Sequence, residues 1–210
     1  MKYELIIFDC DGVLVDSEAI SCGVLAEEAR KLGSKLTNEE ARRIFAGTNL
    51  KFCFEYIENE IGQSLPSDME MIYRTKTRVR FAKELQPVEG IHELVASLTL
   101  PFCVASNAPL GKMIPNLKKV GLFPFFEKNM FSAYEVKAWK PDPTLFLTAA
   151  KTMGFEPSKC LVVEDSLSGV KAAVAAEMDV LGYRDDERAE ELKAAGATII
   201  TSITEVRDYL

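Results

Sequence analysis

The chain opens on a short unbroken apolar run, Leu5-Ile6-Ile7-Phe8, that stops at Asp9. Such a run suits a strand buried on both faces of a parallel sheet. Similar runs recur. Phe102-Cys103-Val104-Ala105 gives way to Ser106-Asn107, and Cys160-Leu161-Val162-Val163 gives way to Glu164-Asp165. Val180-Leu181 and Thr198-Ile199-Ile200 are shorter versions. Between them, helical periodicity predicts helices over Ile91–Leu98, Gly111–Val120, Pro143–Met153, Leu167–Ala176 and Arg188–Ala195. This alternation predicts an α/β fold with a Rossmann-like, doubly wound parallel sheet. Ligands bind such sheets at the carboxyl ends of the strands, where the polar residues just named fall.

One stretch breaks the alternation. From Ser17 to Leu85 the pattern reads as helices only. Thr37-Asn38-Glu39-Glu40 is a capping box that starts one helix, and Leu50, Cys53, Phe54, Ile57 and Ile61 make an apolar stripe on the next, closed by Gly62. Pro66 is expected to open a longer helix reaching about Lys83. The predicted organisation is an α/β core over residues 1–16 and 86–210, with an all-helical cap inserted over 17–85.

Composition narrows the function classes. The 210 residues are 48% hydrophobic and carry 25 Lys and Arg against 32 Asp and Glu, a formal net charge of -7. That balance gives no electrostatic reason to expect nucleic acid or an anionic membrane as partner. The longest uncharged stretch, Leu94 to Gly111, is interrupted by Pro101, Ser106, Asn107 and Pro109 and does not read as a membrane span. Asp9 and Asp11 fall where the apolar part of a secretory signal would have to lie. The five cysteines, Cys10, Cys22, Cys53, Cys103 and Cys160, form no CxxC pair, which fits a reducing, cytoplasmic setting. His92 is the one histidine, so chemistry that needs two is excluded. Carboxylates, lysines and hydroxyls remain.

Asp9-Cys10-Asp11-Gly12 follows the first strand. Residues two apart on an extended segment point to one side, so Asp9 and Asp11 converge. Their repulsion asks for a cation, and all-oxygen ligands suit a hard divalent ion such as Mg2+. Gly12 permits the tight backbone. Taken alone the motif also reads as a pair of turn aspartates. Ser106-Asn107, ahead of a helix, offers a hydroxyl, an amide and backbone N–H groups to phosphate oxygens, or simply caps that helix. Lys140, held in an extended or turn backbone by Pro141, is either a site cation or a solvated surface lysine. Glu164-Asp165 adds carboxylates at the same sheet edge, or caps the helix that follows.

The order of these four signals is more specific than any one of them. Asp9 to Ser17 (DxDGxxxDS), Ser106-Asn107, Lys140 to Pro143 (KPxP) and Glu164 to Ser166 (EDS) resemble the haloacid dehalogenase superfamily of aspartyl phosphotransferases over essentially the whole chain. The resemblance implies a magnesium-dependent phosphatase acting on a small phosphorylated metabolite. Asp9 would be the nucleophile, Asp11 the general acid and base, and Ser106, Asn107 and Lys140 phosphate binders. The metal would be held by Asp165 with Asp9 and the Asp11 carbonyl, and Glu164 would stand close behind. Trp139 before Lys140 is similar to the phosphogluconate phosphatase branch, which implies a sugar or sugar-acid phosphate such as 6-phosphogluconate. Glu177 departs from the glycine of many relatives, a local matter of helix termination.

Three alternatives are weighed. A phosphosugar mutase of the beta-phosphoglucomutase type would carry a cap histidine shortly after the first motif, where Glu18 to Cys22 has none. A dehalogenase would not carry Asp11. A silent phosphometabolite-binding module would have lost site charges that this chain keeps. In the last cap helix, Met69, Ile72, Lys76, Val79 and Lys83 fall on one stripe, so Lys76 is expected to face inward, and either to lay its methylenes on the cap and reach water or to enter the cleft and hold the end of the substrate remote from the phosphate.

Overall fold

The computed structural model describes residues 2–184 and 188–210. The chain enters through β1 (Leu5–Phe8) and β2 (Val15–Asp16). It then makes a purely helical excursion through α1 (Glu18–Lys31), α2 (Asn38–Phe45), α3 (Leu50–Ile61) and α4 (Met69–Glu84). It returns through β3 (Gln86–Pro87) and α5 (Ile91–Ser97), then runs through β4 (Phe102–Ser106), α6 (Leu110–Lys119), α7 (Phe123–Phe126), β5 (Met130–Ser132) and α8 (Ala133–Val136). The last part holds α9 (Thr144–Met153), β6 (Cys160–Glu164), α10 (Leu167–Ala175), β7 (Asp179–Tyr183), α11 (Ala189–Ala194) and β8 (Thr198–Ile200). The chain divides into two compact units, Met1–Asp16 with Gln86–Leu210, and Ser17–Leu85.

Six strands of the first unit form one parallel sheet in the order β5-β4-β1-β6-β7-β8. This is the doubly wound order, in which connections leave β1 and β6 in opposite directions and open a crevice beyond their carboxyl ends. The unbroken apolar runs have their cause here. Leu5 and Ile7 join Cys103, Cys160 and Val162 in a core covered by Leu145, Phe146 and Ala149 of α9 and Val170 and Ala173 of α10. Phe8, one residue out of phase, packs edge-on against Phe102 and Phe126, with ring centroids 6.2 Å apart in each case. No helix among the described residues is long and apolar enough to cross a membrane.

Some elements were not predicted. β5 offers only two apolar residues, Met130 and Phe131, before Ser132, and it extends the sheet beyond β4. β2 and β3 pair antiparallel, Val15 with Pro87 and Asp16 with Gln86, so the two ends of the helical excursion are joined by the first unit itself. Glu177 has φ 59, a left-handed backbone that favours glycine, and its N–H closes α10 on the Val174 carbonyl at 3.0 Å.

In the second unit, Leu25, Ala26, Ala29, Leu36, Ala41, Phe45, Cys53 and Ile57 make the core. Thr37 and Glu40 form the predicted capping box of α2, and Gly62 ends α3 in the left-handed region at φ 70. Two expectations for α4 are corrected. The helix starts at Met69, because Pro66 spends its carbonyl on the Met69 N–H in a preceding turn. Its buried face is Met69, Thr77 and Phe81, while Val79 is 49% exposed. Lys76 therefore sits at the border of the buried face, and its ammonium donates to Glu28 Oε1 at 2.6 Å. Glu28 is buried and also accepts from Lys31 at 2.7 Å. Burial opposes its charge, yet the two lysine hydrogen bonds hold its carboxyl below the ordinary glutamate range. Arg80 repeats the pairing one turn on, donating to Glu27 at 2.8 Å.

The aromatic cluster gives a test of the sheet's packing. Phe126 is fully buried with its ring 5.3 Å from that of Phe102. Phe126→Ala should cost about 3–5 kcal/mol, read as a lowered denaturant midpoint at unchanged slope. A loss below 1 kcal/mol would show that the cluster does not anchor β1 and β4.

Candidate active site

The site is built where β1, β4 and β6 end. The ladder between β1 and β6 continues one residue past β1, with the Asp9 N–H donating to the Val163 carbonyl at 2.9 Å. This places Asp9 beside Glu164 and Asp165. The chain then curls: the Cys10 carbonyl accepts from the N–H groups of Leu14 (2.9 Å) and Val15 (3.1 Å), and the Gly12 N–H donates to the Val15 carbonyl at 2.8 Å. Gly12 has φ 87, and a Cβ there would lie 2.1 Å from Asp165 Oδ2. Glycine is required on both counts, and the Asp11-Gly12 backbone lies directly against the Asp165 carboxylate.

Lys140 is the centre of the arrangement. Its side chain is 2% exposed. The ammonium donates to Asp9 Oδ1 at 2.5 Å, Glu164 Oε1 at 2.6 Å and the Ala105 carbonyl at 2.8 Å, which uses all three of its hydrogens. Asn107 holds the lysine's backbone. Its Oδ1 accepts from the Lys140 N–H at 2.9 Å, and its Nδ2 donates to the Lys140 carbonyl at 3.4 Å. The amide expected to meet phosphate is thus engaged in fixing the lysine. Ser106 is buried, and its hydroxyl oxygen accepts from the Ala108 N–H at 3.1 Å, which leaves the hydroxyl able to donate to an anion.

Glu164 is fully buried and satisfied on both oxygens. While Oε1 takes Lys140, Oε2 accepts from the Asp165 N–H (3.1 Å), the Ser166 N–H (3.0 Å) and the Ser166 hydroxyl (2.9 Å). The N-cap of α10 is Ser166, which accepts from the Gly169 N–H at 3.1 Å. A Cβ on Gly169 would lie 1.9 Å from Glu164 Cδ, so the first turn of α10 is kept bare to admit this carboxylate. Glu164 is a keystone for Lys140 and the loop.

Two cations escaped the sequence reading. Lys112 Nζ donates to Asp11 Oδ2 at 2.7 Å, and Arg184 Nη1 donates to Asp165 Oδ2 at 3.4 Å, both partners of the latter pair being buried. Arg184 follows β7, and the strand-end rule would have found it had β7 been read to its full length. Lys112 had a different signal: a lysine in the first turn of a helix opposes the helix dipole and needs a reason to be there. His92, in α5, has Nε2 2.8 Å from the Val120 carbonyl. Among the described residues, no three or more His, Cys, Asp or Glu side chains are gathered closely enough to hold a metal by themselves. Lys76 belongs to the helical unit and is engaged with Glu28, so its expected role as a substrate-holding charge is not carried forward.

One buried ammonium faces two buried carboxylates, and the charges do not balance. Burial pushes the Asp9 carboxyl up to about 7, with Lys140 opposing and Glu164 and Asp11 adding to the rise. For Lys140, burial works against its charge, but Asp9 and Glu164 hold it above the ordinary lysine value. Burial likewise raises the Cys10 thiol, which keeps it protonated and unreactive.

The sequence matches the family model described as "Hydrolase: haloacid dehalogenase-like hydrolase" over residues 3–177. It is 32% identical to the 6-phosphogluconate phosphatase of Escherichia coli (strain K12), covering 98% of this chain and 93% of that protein. It is 30% identical to a phosphorylated carbohydrates phosphatase of Thermotoga maritima, covering 99% and 98%. The crystal structure of a conserved haloacid dehalogenase-like protein of unknown function from Agrobacterium tumefaciens superposes with a TM-score of 0.91 at 33% identity, covering 99% of this chain and 97% of that one.

The charge imbalance predicts a pH signature in metal-free protein. A carboxyl whose folded pKa is raised from 3.8 to about 7 binds its proton more tightly when folded. Its contribution to stability is complete below the unfolded value and is lost as pH rises through 7. Asp9→Asn removes this loss. Urea denaturation in a chelator between pH 5 and 8 should show the variant gaining stability relative to the parent as pH rises. A flat or reversed difference would contradict the imbalance.

Proposed function

Since the chain belongs to the haloacid dehalogenase-like hydrolases and is a phosphoric monoester hydrolase of the sugar-phosphate type, we propose that it works through a covalent phosphate on Asp9. The observation that carries this reading is the buried Lys140, which ties Asp9 to Glu164 within the crevice where β1 and β6 diverge. An anionic nucleophile and a phosphate dianion repel, so the site must supply positive charge at that point. Lys140 does so from a fixed position. The Ser106 hydroxyl donates to a second phosphoryl oxygen from the end of the neighbouring strand.

In the first step an Asp9 oxygen bonds to phosphorus while the bond from phosphorus to the leaving oxygen breaks. Asp11 gives its proton to that oxygen, and the alcohol departs. Asp11, now a carboxylate, takes a proton from a water whose oxygen attacks the aspartyl phosphate. The bond between phosphorus and Asp9 breaks, returning the carboxylate and releasing inorganic phosphate. One water is consumed and both aspartates end as they began.

The donors at the loop suit a hard divalent cation such as Mg2+. They are carboxylate and carbonyl oxygens, and bare glycine brings the Asp11-Gly12 backbone against the Asp165 carboxylate. Asp9, Asp165 and the Asp11 carbonyl would hold it, with Glu164 supporting them from the Lys140 side. A bound cation supplies charge that favours the ionised form of Asp9 and neutralises phosphoryl oxygens.

The substrate is proposed to be a phosphorylated sugar or sugar acid, 6-phosphogluconate being the first to test, on the strength of the two named relatives. The mutase reading is not carried forward. Its cap histidine has no counterpart after Asp16, and the lone histidine belongs to α5 of the sheet unit.

A panel of phosphorylated metabolites assayed for inorganic phosphate with Mg2+ should give turnover led by sugar or sugar-acid phosphates. Chelation should abolish it, and Asp9→Asn should lower it by at least about a thousandfold. Substantial turnover by the purified Asp9→Asn protein would refute the covalent route. Rapid interconversion of two sugar monophosphates with little free phosphate would restore the mutase.

A further inference from the structure

Ser132 ends β5 and is 1% exposed. A hydroxyl so buried needs partners inside the protein, and it has two. It accepts the Tyr134 N–H at 3.2 Å as the N-cap of α8, and it donates to the Ala108 carbonyl at 2.8 Å. The sense of both bonds is fixed, because the amide can only donate and the carbonyl only accept. In the ladder between β4 and β5, Ser132 stands directly beside Ser106. Ala108 joins the two serines. Its N–H donates to Ser106 Oγ at 3.1 Å while its carbonyl accepts from Ser132, so both of its backbone groups are engaged. Ala108 is itself buried, and a carbonyl deprived of Ser132 would have little water to turn to.

Resting on the phosphatase reading above, we propose that Ser132 is a positioning residue for phosphate recognition, which acts through Ala108 to aim the Ser106 hydroxyl. A serine hydroxyl rotates freely, and it serves a phosphate only when its hydrogen faces a phosphoryl oxygen. The Ala108 N–H occupies a lone pair of Ser106 Oγ and so directs the hydrogen away from itself. That N–H is only as well placed as the Ala108 backbone, which the Ser132 bond pins from the neighbouring strand. Without that bond Ala108 can turn, the Ser106 hydroxyl loses its fixed direction, and part of its charge-assisted bond to the phosphoryl group is lost. The phosphoryl group is common to every substrate, so the loss must be common too.

A helix cap alone would move stability and leave phosphate recognition intact, so the test reads both. Wild type, Ser132→Ala, Ser106→Ala and the double variant are assayed with Mg2+ on a sugar phosphate that wild type hydrolyses and on p-nitrophenyl phosphate. Inorganic phosphate is titrated as a competitive inhibitor. Ser132→Ala should lower kcat/KM roughly 5- to 30-fold on both substrates alike, a part of what one hydrogen bond to a charged group contributes. The inhibition constant of phosphate should rise roughly 3- to 10-fold. In the Ser106→Ala background the further loss from Ser132→Ala should shrink to within about twofold, because its target is gone. Ser132→Cys keeps most of the shape but donates weakly, and it should lose nearly as much as Ser132→Ala.

A lowered melting temperature with kcat/KM and the inhibition constant unmoved would reduce Ser132 to a helix cap and overturn the assignment. Losses that multiply in the double variant, a loss confined to one substrate, or a Ser132→Cys protein at wild-type level would each overturn it too. If circular dichroism shows Ser132→Ala to be misfolded, Ser132→Cys takes its place under the same criteria. Absence of phosphate release by wild type from every monoester would bring down the phosphatase reading and this inference together. Wild-type activity with an unaffected, folded Ser132→Ala would bring down this inference alone.

Discussion

A single buried ammonium shared between two carboxylates sets the conditions for everything around it. Lys140 cannot hydrate, so each of its hydrogens must find an acceptor inside the protein, and it finds Asp9, Glu164 and the Ala105 carbonyl. Those acceptors come from the ends of three neighbouring strands, β4, β1 and β6, which the strand order sets side by side. The demand spreads outward. Glu164, buried to serve the lysine, takes three more donors from its own loop, and Gly169 must lack a side chain to make room for it. Asn107 fixes the lysine's backbone from just past the end of β4. One cation thus explains a glutamate, a glycine and an asparagine.

Much of this was legible in the sequence because the α/β pattern announces its own functional edge. Apolar runs ending at Asp9, Ser106 and Glu164 located three strand ends, whereas the raised Asp9 carboxyl owes most to burial, which the spacing of Asp9 and Asp11 does not show. What escaped has physical reasons. β2 and β3 have two residues each and β5 only two apolar ones, too little to stand out as runs. The bond from the Asn107 amide to the Lys140 backbone does not show in the sequence, because a side-chain amide looks alike whether it serves a ligand or a backbone. The stripe through Lys76 was drawn with the right period and the wrong phase, and a buried glutamate on another helix claims the charge. Tertiary partners of a charge leave no trace in local pattern.

The same logic distinguishes the two carboxylates that follow β6. Glu164 and Asp165 are adjacent, yet strand geometry sends their side chains apart. Glu164 turns into the protein, toward Lys140 and the first turn of α10, and Asp165 turns toward the Gly12 loop and Arg184. A two-residue acidic motif at a strand end thereby supplies one brace for Lys140 and one group set against the Gly12 loop.

The antiparallel contact of β2 with β3 bears on how such a protein can change over time. It brings Asp16 and Gln86 together, so the sheet unit closes the chain where the helical excursion leaves and re-enters. The entropy of closing a loop grows only with the logarithm of its length, about 0.6 kcal/mol for each doubling. Insertions or losses within residues 17–85 are therefore nearly free of consequence for the sheet, provided the helices still bury their own apolar faces. The chemistry can remain fixed while the inserted unit is lengthened, trimmed or exchanged, a modularity that resides in two pairs of residues.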